Sequence, residues 1–366
     1  MKLFLIVSIF LISWLQADVP LRQKQVLEVF YNDLNGDHWK NNTRWNSGDP
    51  CTNQWYGVAC DNNNTYIKQI VMVDNNLTGT IPPELKYLSD LDLLVLIEND
   101  GISGTIPSEL GELQALMGLI LMSQNITGEI PVSLGNLPNL ITLMLVSQKI
   151  RGSIPPQIAD DTKLVELVLA SEELNGTIPQ EIGNLTNLTR LSIRGGGIGG
   201  EIPQSFSQLT KLIYFTIDAT QITGDIPQWI ADIDTLKQLN LTNNRFTGGA
   251  YNLLYALSDN ASELEVFNLS NNLIRESLPD LLYLPELQKF YIDHNAFYGQ
   301  VPELRDLDTL NDANGLNLNY NNFSVNNIEE GLVDFIAQKS SDFEDWRKTQ
   351  NIDAKSMIPV LQYLLF

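Results

Sequence analysis

The chain contains few of the residues that build catalytic and metal sites. Its 366 residues include only two cysteines and two histidines, His38 and His294. The histidines lie far apart in the sequence, and no nucleophile is paired with a base and no group of metal ligands is clustered. The sequence therefore predicts a protein that is not an enzyme and that holds no metal ion and no cofactor.

Positive charge is also scarce. Lysine and arginine total 22 residues against 44 aspartates and glutamates, which gives a formal net charge of −22 at pH 7. Proteins that bind nucleic acids or anionic membranes do so with clustered Lys and Arg, so this balance argues against both partners. An acidic surface suits solubility in general, and it also suits a basic partner.

Long hydrophobic runs are missing as well. The apolar run Leu3–Leu15 is short for a membrane-spanning helix, which needs about 20 residues. It predicts a secretory signal peptide over residues 1–17, cleaved after Ala17, with a retained anchor as the alternative. The apolar tail Met357–Phe366 is only ten residues long. We expect this tail to pack against the protein, and a lipid-anchor signal is the alternative.

One short motif returns through most of the chain. Gly-x-Ile-Pro recurs about every 24 residues, and a fixed period of this size is the signature of a solenoid. A solenoid presents an extended surface rather than an enclosed pocket, which favours binding over catalysis. The motifs begin at Gly79, Gly104, Gly128, Gly152, Gly176, Gly200 and Gly224.

A second pattern, L-x-x-L-x-L, precedes each motif. In the second unit it consists of Leu91, Leu94 and Leu96, followed by Asn99 at a turn. The alternation predicts a short strand with one buried face, and stacked copies should pair into one parallel sheet. We count 11 units over residues 67–324. The last three are degenerate, and five consecutive middle units lack the turn asparagine.

Together these patterns closely resemble the plant-type, extracellular leucine-rich repeat, whose consensus carries L-x-G-x-I-P-x-x-L-x-x-L. The resemblance covers residues 67–324. It implies an α/β solenoid, a right-handed superhelix with the parallel sheet on its concave face. Members of this family are usually receptor ectodomains or secreted recognition proteins. No kinase or transmembrane domain is recognised in the chain.

The ends of the repeat array should be sealed from water. Residues 18–66 resemble the N-terminal cap of the same family, with a predicted helix over Leu21–Leu34 and the pattern W…PC…W-x-G-V-x-C. The two cysteines, Cys51 and Cys60, predict a disulfide in a secreted chain, with a metal site or a catalytic thiol as the alternatives. Residues 325–366 should form a C-terminal cap helix, Ile328–Lys339, and the apolar tail.

The chain is rich in acceptor sequences for N-linked glycans. There are 11 Asn-x-Ser/Thr sequons, and in a chain with a signal peptide several of them should carry glycans. We therefore expect a secreted or extracellular glycoprotein, which the tail could attach to a cell surface. The sequons begin at Asn41, Asn63, Asn76, Asn125, Asn175, Asn184, Asn187, Asn240, Asn260, Asn268 and Asn322.

The repeat register also predicts a binding surface. Residues between and just after the last two buried leucines should point outward from the sheet, and in units one to five all ten are apolar. In units six to eleven only Tyr291 has apolar character there. Strand propensity alone would not produce a break at unit six, whereas apolar patches usually mark interfaces. The predicted ligand-binding residues are Val71, Val73, Val95, Ile97, Ile120, Met122, Met144, Val146, Val168 and Ala170.

The leading hypothesis is a secreted or cell-surface recognition or scaffold protein that binds a protein or peptide ligand through this apolar half. A self-associating structural protein, as a dimer or in a matrix, would bind a second copy through the same arc. An inhibitor of a secreted hydrolase is a weaker alternative, because the similar polygalacturonase-inhibiting proteins have a more polar concave face and C-terminal cysteines. Ice binding needs regular polar rows, and this chain has only a broken one. A membrane partner is expected only if the tail is an anchor signal.

Overall fold

The computed structural model describes residues 19–340 except residues 161–162, 261–262, 281, 305–306, 312–313 and 325–327. The expected signal peptide over residues 1–17 and the apolar tail Met357–Phe366 lie outside the described residues. Ala313 of the eleventh unit and residues 341–366 of the C-terminal segment lie outside them as well.

The described residues form short strands joined by turns and short helices. The α-helices are α1 Leu21–Asp33, α2 Ala250–Asp259 and α3 Glu330–Lys339. Single 3-10 turns cover Gly36–His38, Pro83–Tyr87, Ser108–Glu112, Val132–Asn136, Pro156–Asp160, Gln180–Asn184, Gln204–Gln208 and Gln228–Asp232. The strands are β1 Val58–Cys60, β2 Ile67–Val73, β3 Thr78–Thr80, β4 Leu93–Ile97, β5 Gly101–Thr105, β6 Gly118–Met122, β7 Asn125–Gly128, β8 Thr142–Val146, β9 Lys149–Ile150, β10 Gly152–Ser153, β11 Glu166–Ala170, β12 Leu174–Thr177, β13 Arg190–Arg194, β14 Gly197–Gly200, β15 Tyr214–Asp218, β16 Gln221–Ile222, β17 Gln238–Asn240, β18 Val266–Asn268, β19 Lys289–Tyr291, β20 Tyr298–Gln300, β21 Leu316–Asn317 and β22 Asn322–Ser324.

One large sheet runs the length of the repeats. Its twelve strands within the described residues follow the order β1-β2-β4-β6-β8-β11-β13-β15-β17-β18-β19-β21. Each repeat adds one strand parallel to the strand before it, and only β1 is antiparallel to its neighbour. Smaller parallel sheets, β3-β5-β7-β9 and β10-β12-β14-β16, run through the Gly-x-Ile-Pro motifs. The predicted solenoid of stacked repeats that pair into one parallel sheet is confirmed.

The core is a continuous stack of apolar side chains under the large sheet. The parallel register sets Leu94 beside Leu119 and Leu119 beside Leu143, and all three are fully buried. In the later repeats phenylalanine takes over, and the rings of Phe267 and Phe290 stack 5.5 Å apart. Burying such side chains contributes on the order of 1.5–3 kcal/mol each, and no repeat could bury them without its neighbours.

Buried asparagines close the turns after the strands of the first two repeats. The Asn99 amide donates to the carbonyl oxygens of Met72 at 2.9 Å and Ile97 at 2.8 Å. Its side-chain oxygen accepts from the backbone N–H groups of Asn75 and Leu77. One side chain therefore satisfies polar backbone groups on two consecutive repeats, which would otherwise be buried without partners.

The middle repeats replace this asparagine with a hydroxyl one residue earlier. The Ser123 hydroxyl lies 2.8 Å from the carbonyl oxygen of Asn99 and 3.2 Å from that of Ile102, while Gln124 is exposed. The left-handed residue before the asparagine, such as Glu98 with φ of 55°, has no equivalent in the described turns of units three to six. In units three to five the missing asparagine thus marks a second type of turn, whereas unit seven lacks the asparagine but keeps the left-handed residue, Ala219. Ser147 and Ser171 are buried at the same place in the next two units.

The N-terminal cap covers the first repeat with aromatic rings. Rings of Phe30, Tyr31, Trp39, Trp45 and Trp55 pack with centroids 5.0 to 6.1 Å apart. Each of the three indole N–H groups donates to a backbone carbonyl, so the cluster is buried without polar cost. The predicted helix is present as α1, and a disulfide joins the two cysteines of the cap as predicted.

Helix α3 covers the other end of the sheet. Leu332 and Ile336 are buried on its inner face, while the Gly315 N–H donates to the carbonyl oxygen of Lys339 at 2.9 Å. The Lys339 ammonium donates in turn to the Leu310 carbonyl oxygen at 2.8 Å. The amphipathic pattern predicted a helix over Ile328–Lys339. In the structure the helix begins two residues later, at Glu330.

Two elements have no counterpart in the sequence analysis. Strand β1 adds a twelfth, antiparallel strand from the cap, and its residues Val58–Cys60 overlap the cysteine motif. Helix α2 replaces the 3-10 turn of the eighth repeat, where the strand-to-strand spacing lengthens. Its Gly249 and Tyr251 N–H groups donate to the Glu276 carboxylate, which satisfies the helix start.

We predict that Asn272→Ala lowers the free energy of unfolding by about 1–3 kcal/mol, because it leaves buried backbone groups without partners. The Asn272 amide donates to the carbonyl oxygens of Leu241 and Leu269, each at 2.9 Å. Urea unfolding measures the change. Asn62→Ala, at an exposed position of the cap, is the control and should stay within about 0.5 kcal/mol. Equal midpoints for both variants would contradict the role of the asparagine.

We predict that Asp49 stabilises the N-terminal cap only while it is ionised. Burial opposes its charged form, but N–H groups of Thr52, Val19 and Cys51 donate to the carboxylate, and together they lower the pKa of Asp49. A lowered pKa in the folded state gives stability that is present above the unfolded value of about 3.9 and is lost as pH falls through the folded value.

Asp49→Asn should therefore be less stable than the unmodified chain at pH 7, and the difference should vanish at about pH 2. Urea unfolding at the two pH values measures it. A stability difference that stays constant across this range would contradict the assignment.

Candidate functional site

The ten predicted ligand-binding residues form two rows across five adjacent strands. Strand pairing sets Val71 beside Val95, Val95 beside Ile120, and Ile120 beside Met144. Five strands span four interstrand spacings of 4.7–4.9 Å, so each row is roughly 20 Å long. We call these the apolar rows. Row one is Val71, Val95, Ile120, Met144 and Val168, and row two is Val73, Ile97, Met122, Val146 and Ala170.

Exposure differs along the apolar rows. Val73, at the cap end, is 45% exposed, whereas Val95 and Ala170 are only 7% exposed. The repeat register predicts that all ten point outward, but these two are nearly covered. Val95 lies between Val71 and the larger Ile120, and the small side chain of Ala170 lies between Val146 and Arg194. The other seven residues are half-buried, so a ligand would cover them from one side only.

The chemistry of the face changes at β13. Arg190 pairs with Glu166 on the preceding strand at 3.5 Å, and its guanidinium lies 4.1 Å from the centre of the Tyr214 ring. Arg194 pairs with Asp218 on the following strand at 3.6 Å. The polar half of the sheet therefore begins with charges that are already paired with acidic side chains on the neighbouring strands.

Two sequons lie on the polar half of this face. The side-chain oxygens of Asn240 and Asn268 accept from the backbone N–H groups of Thr242 and Ser270, two residues further on. Both asparagines are half-buried on strands β17 and β18 of the large sheet. A glycan on either one would occupy the outer face of the large sheet in the later repeats. The apolar rows carry no sequon.

A third set of outward residues escaped the sequence analysis. The residue directly after the first leucine of each unit is apolar in units three to five, at Met117, Ile141 and Val165, and Met117 is 46% exposed. Met117 and Ile141 line a hollow over Gly118, at the start of the strands, with a volume of about 340 Å³. The L-x-x-L spacing could have predicted these residues, but outward positions were assigned only within and just after the L-x-L part.

The two histidines lie in separate parts of the fold. His38 Nδ1 lies 2.8 Å from the side-chain oxygen of Asn35 in the cap, and His294 Nδ1 lies 2.7 Å from the Asp293 carboxylate in the tenth repeat. Within the described ranges no group of three or more His, Cys, Asp or Glu side chains could hold a metal ion. None of the helices that the structure describes is long and apolar enough to cross a membrane.

Comparison with known proteins agrees with this architecture. The leucine rich repeat N-terminal domain family matches residues 20–61. A probable leucine-rich repeat receptor-like protein kinase of Arabidopsis thaliana is 39% identical over 59 residues, which make up 16% of this chain and 6% of the kinase. The matched segment is therefore a small part of that relative.

Solved structures match over a longer range. The ectodomain of the Arabidopsis receptor kinase HAESA, in complex with an N-terminally extended IDA peptide hormone ligand, has a TM-score of 0.65 at 26% identity, over 82% of this chain and 53% of that one. HAESA in complex with IDA and the co-receptor SERK1 has a TM-score of 0.64 at 27% identity, over 83% and 54%. A plant ice-binding protein matches with a TM-score of 0.63 at 24% identity, over 83% and 88%, which shows the fold alone. The chain spans about half the length of the receptor ectodomains.

Oxidation of methionines provides a direct check on which side of the sheet faces solvent. Met117 is 46% exposed on the face, whereas Met72 is fully buried beneath it. Brief treatment with hydrogen peroxide should convert Met117 to the sulfoxide first and leave Met72 reduced while the protein is folded. Mass spectrometry of tryptic peptides measures both in one sample. Equal oxidation rates at the two positions would show that the face is assigned wrongly.

Proposed function

We propose that this chain, a leucine-rich repeat protein with the N-terminal cap of plant receptor ectodomains, binds a protein or peptide ligand on its concave sheet. The apolar half formed by units one to five would be the main contact. The observation that supports this most strongly is the pair of apolar rows, which lie in register across five strands and stop at the matched charges of β13. An uncovered apolar surface of this kind usually marks an interface.

The energetics favour a ligand that crosses several strands. Full burial of one Val, Ile or Met side chain contributes on the order of 1.5–3 kcal/mol, whereas association costs about 4–15 kcal/mol in lost freedom. One covered residue could not offset that cost, but a segment lying across the apolar rows would cover several at once. The methionines Met122 and Met144 suit such a contact, because their flexible side chains adapt to the shape of a partner.

The relatives support a peptide or protein as the ligand. The matched HAESA structures contain a peptide hormone, and one contains a co-receptor as well. Transferring that class of ligand to this chain remains our proposal, since the chain spans only about half of those ectodomains and a small part of the kinase. We propose in the same way that the protein is non-enzymatic.

We also propose an extracellular location with N-linked glycans. The disulfide between Cys51 and Cys60 supports an oxidising compartment. Several sequon asparagines lie exposed on turns, among them Asn63, Asn184 and Asn187. Glycans on the polar half of the concave sheet would direct a ligand toward the apolar rows rather than block them.

A library of random linear peptides displayed on phage tests this function with the purified protein as bait. We expect enriched peptides to bind the unmodified chain and to lose affinity by at least about tenfold, or about 1.4 kcal/mol, when Val146→Asp places a charge in row two. The control is Thr216→Asp, a similarly half-buried outward position on the polar half, which should change binding by less than about twofold.

Peptides that lose binding with Thr216→Asp but not with Val146→Asp would move the ligand site away from the apolar rows. Light scattering on the same preparations examines the alternative that a second copy is the ligand. A dimer that Val146→Asp converts to a monomer would assign the apolar rows to self-association.

A further inference from the structure

A hollow lies over Gly118 in the apolar half. It lies at the starting ends of β2, β4, β6 and β8 and has a volume of about 340 Å³. Binding sites for small molecules run from about 300 to 1,000 Å³, so a hollow of this size suits a single side chain of a larger ligand. Its apolar lining comes from Leu93, Met117, Ile120 and Ile141, and Asp92 lies among them.

The hollow exists because Gly118 has no side chain. In the parallel register Gly118 stands between Leu93 and Thr142, where every neighbouring strand projects a side chain. Its φ is not in the left-handed region, so the backbone does not require glycine here. A Cβ atom at this position would meet the Leu93 side-chain tip at 2.6 Å, and that flexible tip can move aside. The fold therefore tolerates a side chain at position 118, and what glycine provides there is space.

Asp92 gives this hollow a charge. Its carbonyl oxygen accepts from the N–H groups of Met117 at 2.8 Å and Gly118 at 3.0 Å, which fixes the residue at the start of β4. Among residues that the structure describes, no side chain forms an ion pair or hydrogen bond with the Asp92 carboxylate, and Lys68 on the neighbouring strand does not pair with it. This acid contrasts with Glu166 on the same face, which Arg190 neutralises.

The surroundings reinforce the negative sign. Strand β4 starts after Asp90 and Asp92 and is followed by Glu98 and Asp100, so both ends of the same repeat are acidic. The whole chain carries a formal charge of −22. Such a field attracts cationic ligands and raises their rate of association.

We propose that the hollow over Gly118 is an anchor subsite that takes one large apolar side chain of a polypeptide ligand, flanked by a cationic group that pairs with Asp92. The cation is a Lys or Arg side chain or a free N-terminus of the ligand. This proposal rests on ligand binding by the apolar rows and adds the chemical class of the ligand. The apolar contact provides most of the affinity, and the ion pair at the rim selects for positive charge.

Two fluorescent probes with the same apolar group and opposite charges test the subsite on the whole protein. Dansylcadaverine carries an ammonium and dansylglycine carries a carboxylate, and titration of dansyl fluorescence measures the affinity of each. We expect saturable binding of the cationic probe and weaker binding of the anionic one. Asp92→Asn should reduce affinity for the cationic probe by about two- to fivefold, as for an exposed ion pair, and remove the preference. Asp90→Asn changes the net charge equally outside the hollow and should leave the preference intact.

Gly118→Leu fills the hollow and should lower the affinity of the cationic probe by about tenfold or more. If that variant folds poorly, Gly118→Ala adds only a methyl group and should cause a smaller loss of affinity for the cationic probe. Thr216→Asp lies outside both the hollow and the apolar rows and should leave probe binding within about twofold of the unmodified chain. Probe binding that survives both substitutions at Gly118, or equal binding of the two probes, would overturn the subsite. Neither result would affect ligand binding by the apolar rows, which Val146→Asp tests with displayed peptides.

Discussion

Each repeat can bury its leucines only against the repeats on either side of it. This requirement determines the rest of the structure. It fixes the parallel register, since Leu94, Leu119 and Leu143 must lie beside one another. It requires caps, because the first and last repeats lack a neighbour. It also turns every second residue of each strand outward, where the core places no demand on its chemistry.

The same dependence explains why so much of the fold could be predicted from the sequence. The spacing of the leucines and of Gly-x-Ile-Pro reflects a structural period, so the strands and the sheet followed from it. The caps were located by a resemblance to the family's N-terminal motif and by an amphipathic pattern near the other end. The turns were predicted less well. Their buried backbone groups need a hydrogen-bond partner, but more than one type of residue can provide it. In the third unit the Ser123 hydroxyl supplies the hydrogen bond, and a pattern that expects asparagine at position 124 finds an exposed glutamine instead. Strand β1 and helix α2 were missed for a similar reason, since neither follows the period.

The period of the sequence predicts where the outward residues lie on the sheet, but not how far each of them is covered. The period placed the ten residues of the apolar rows on one face and located the change to polar chemistry at unit six. It could not give the depth to which each residue is covered, which depends on neighbours in other repeats: Val95 is nearly closed off, whereas Val73 is open. The hollow arises from an absent side chain at Gly118, and a residue pattern that looks for outward apolar groups passes over a glycine.

Inward leucines alternate with outward residues along each strand, so the residues that determine the fold differ from those that face a ligand. On β6, Leu119 and Leu121 specify the fold, while Ile120 and Met122 face the space above the sheet. Substitutions at the second kind of position can accumulate while the first kind stays unchanged. A lineage of such proteins could therefore change its ligand one repeat at a time without passing through an unfolded intermediate, and a protein engineer could follow the same route.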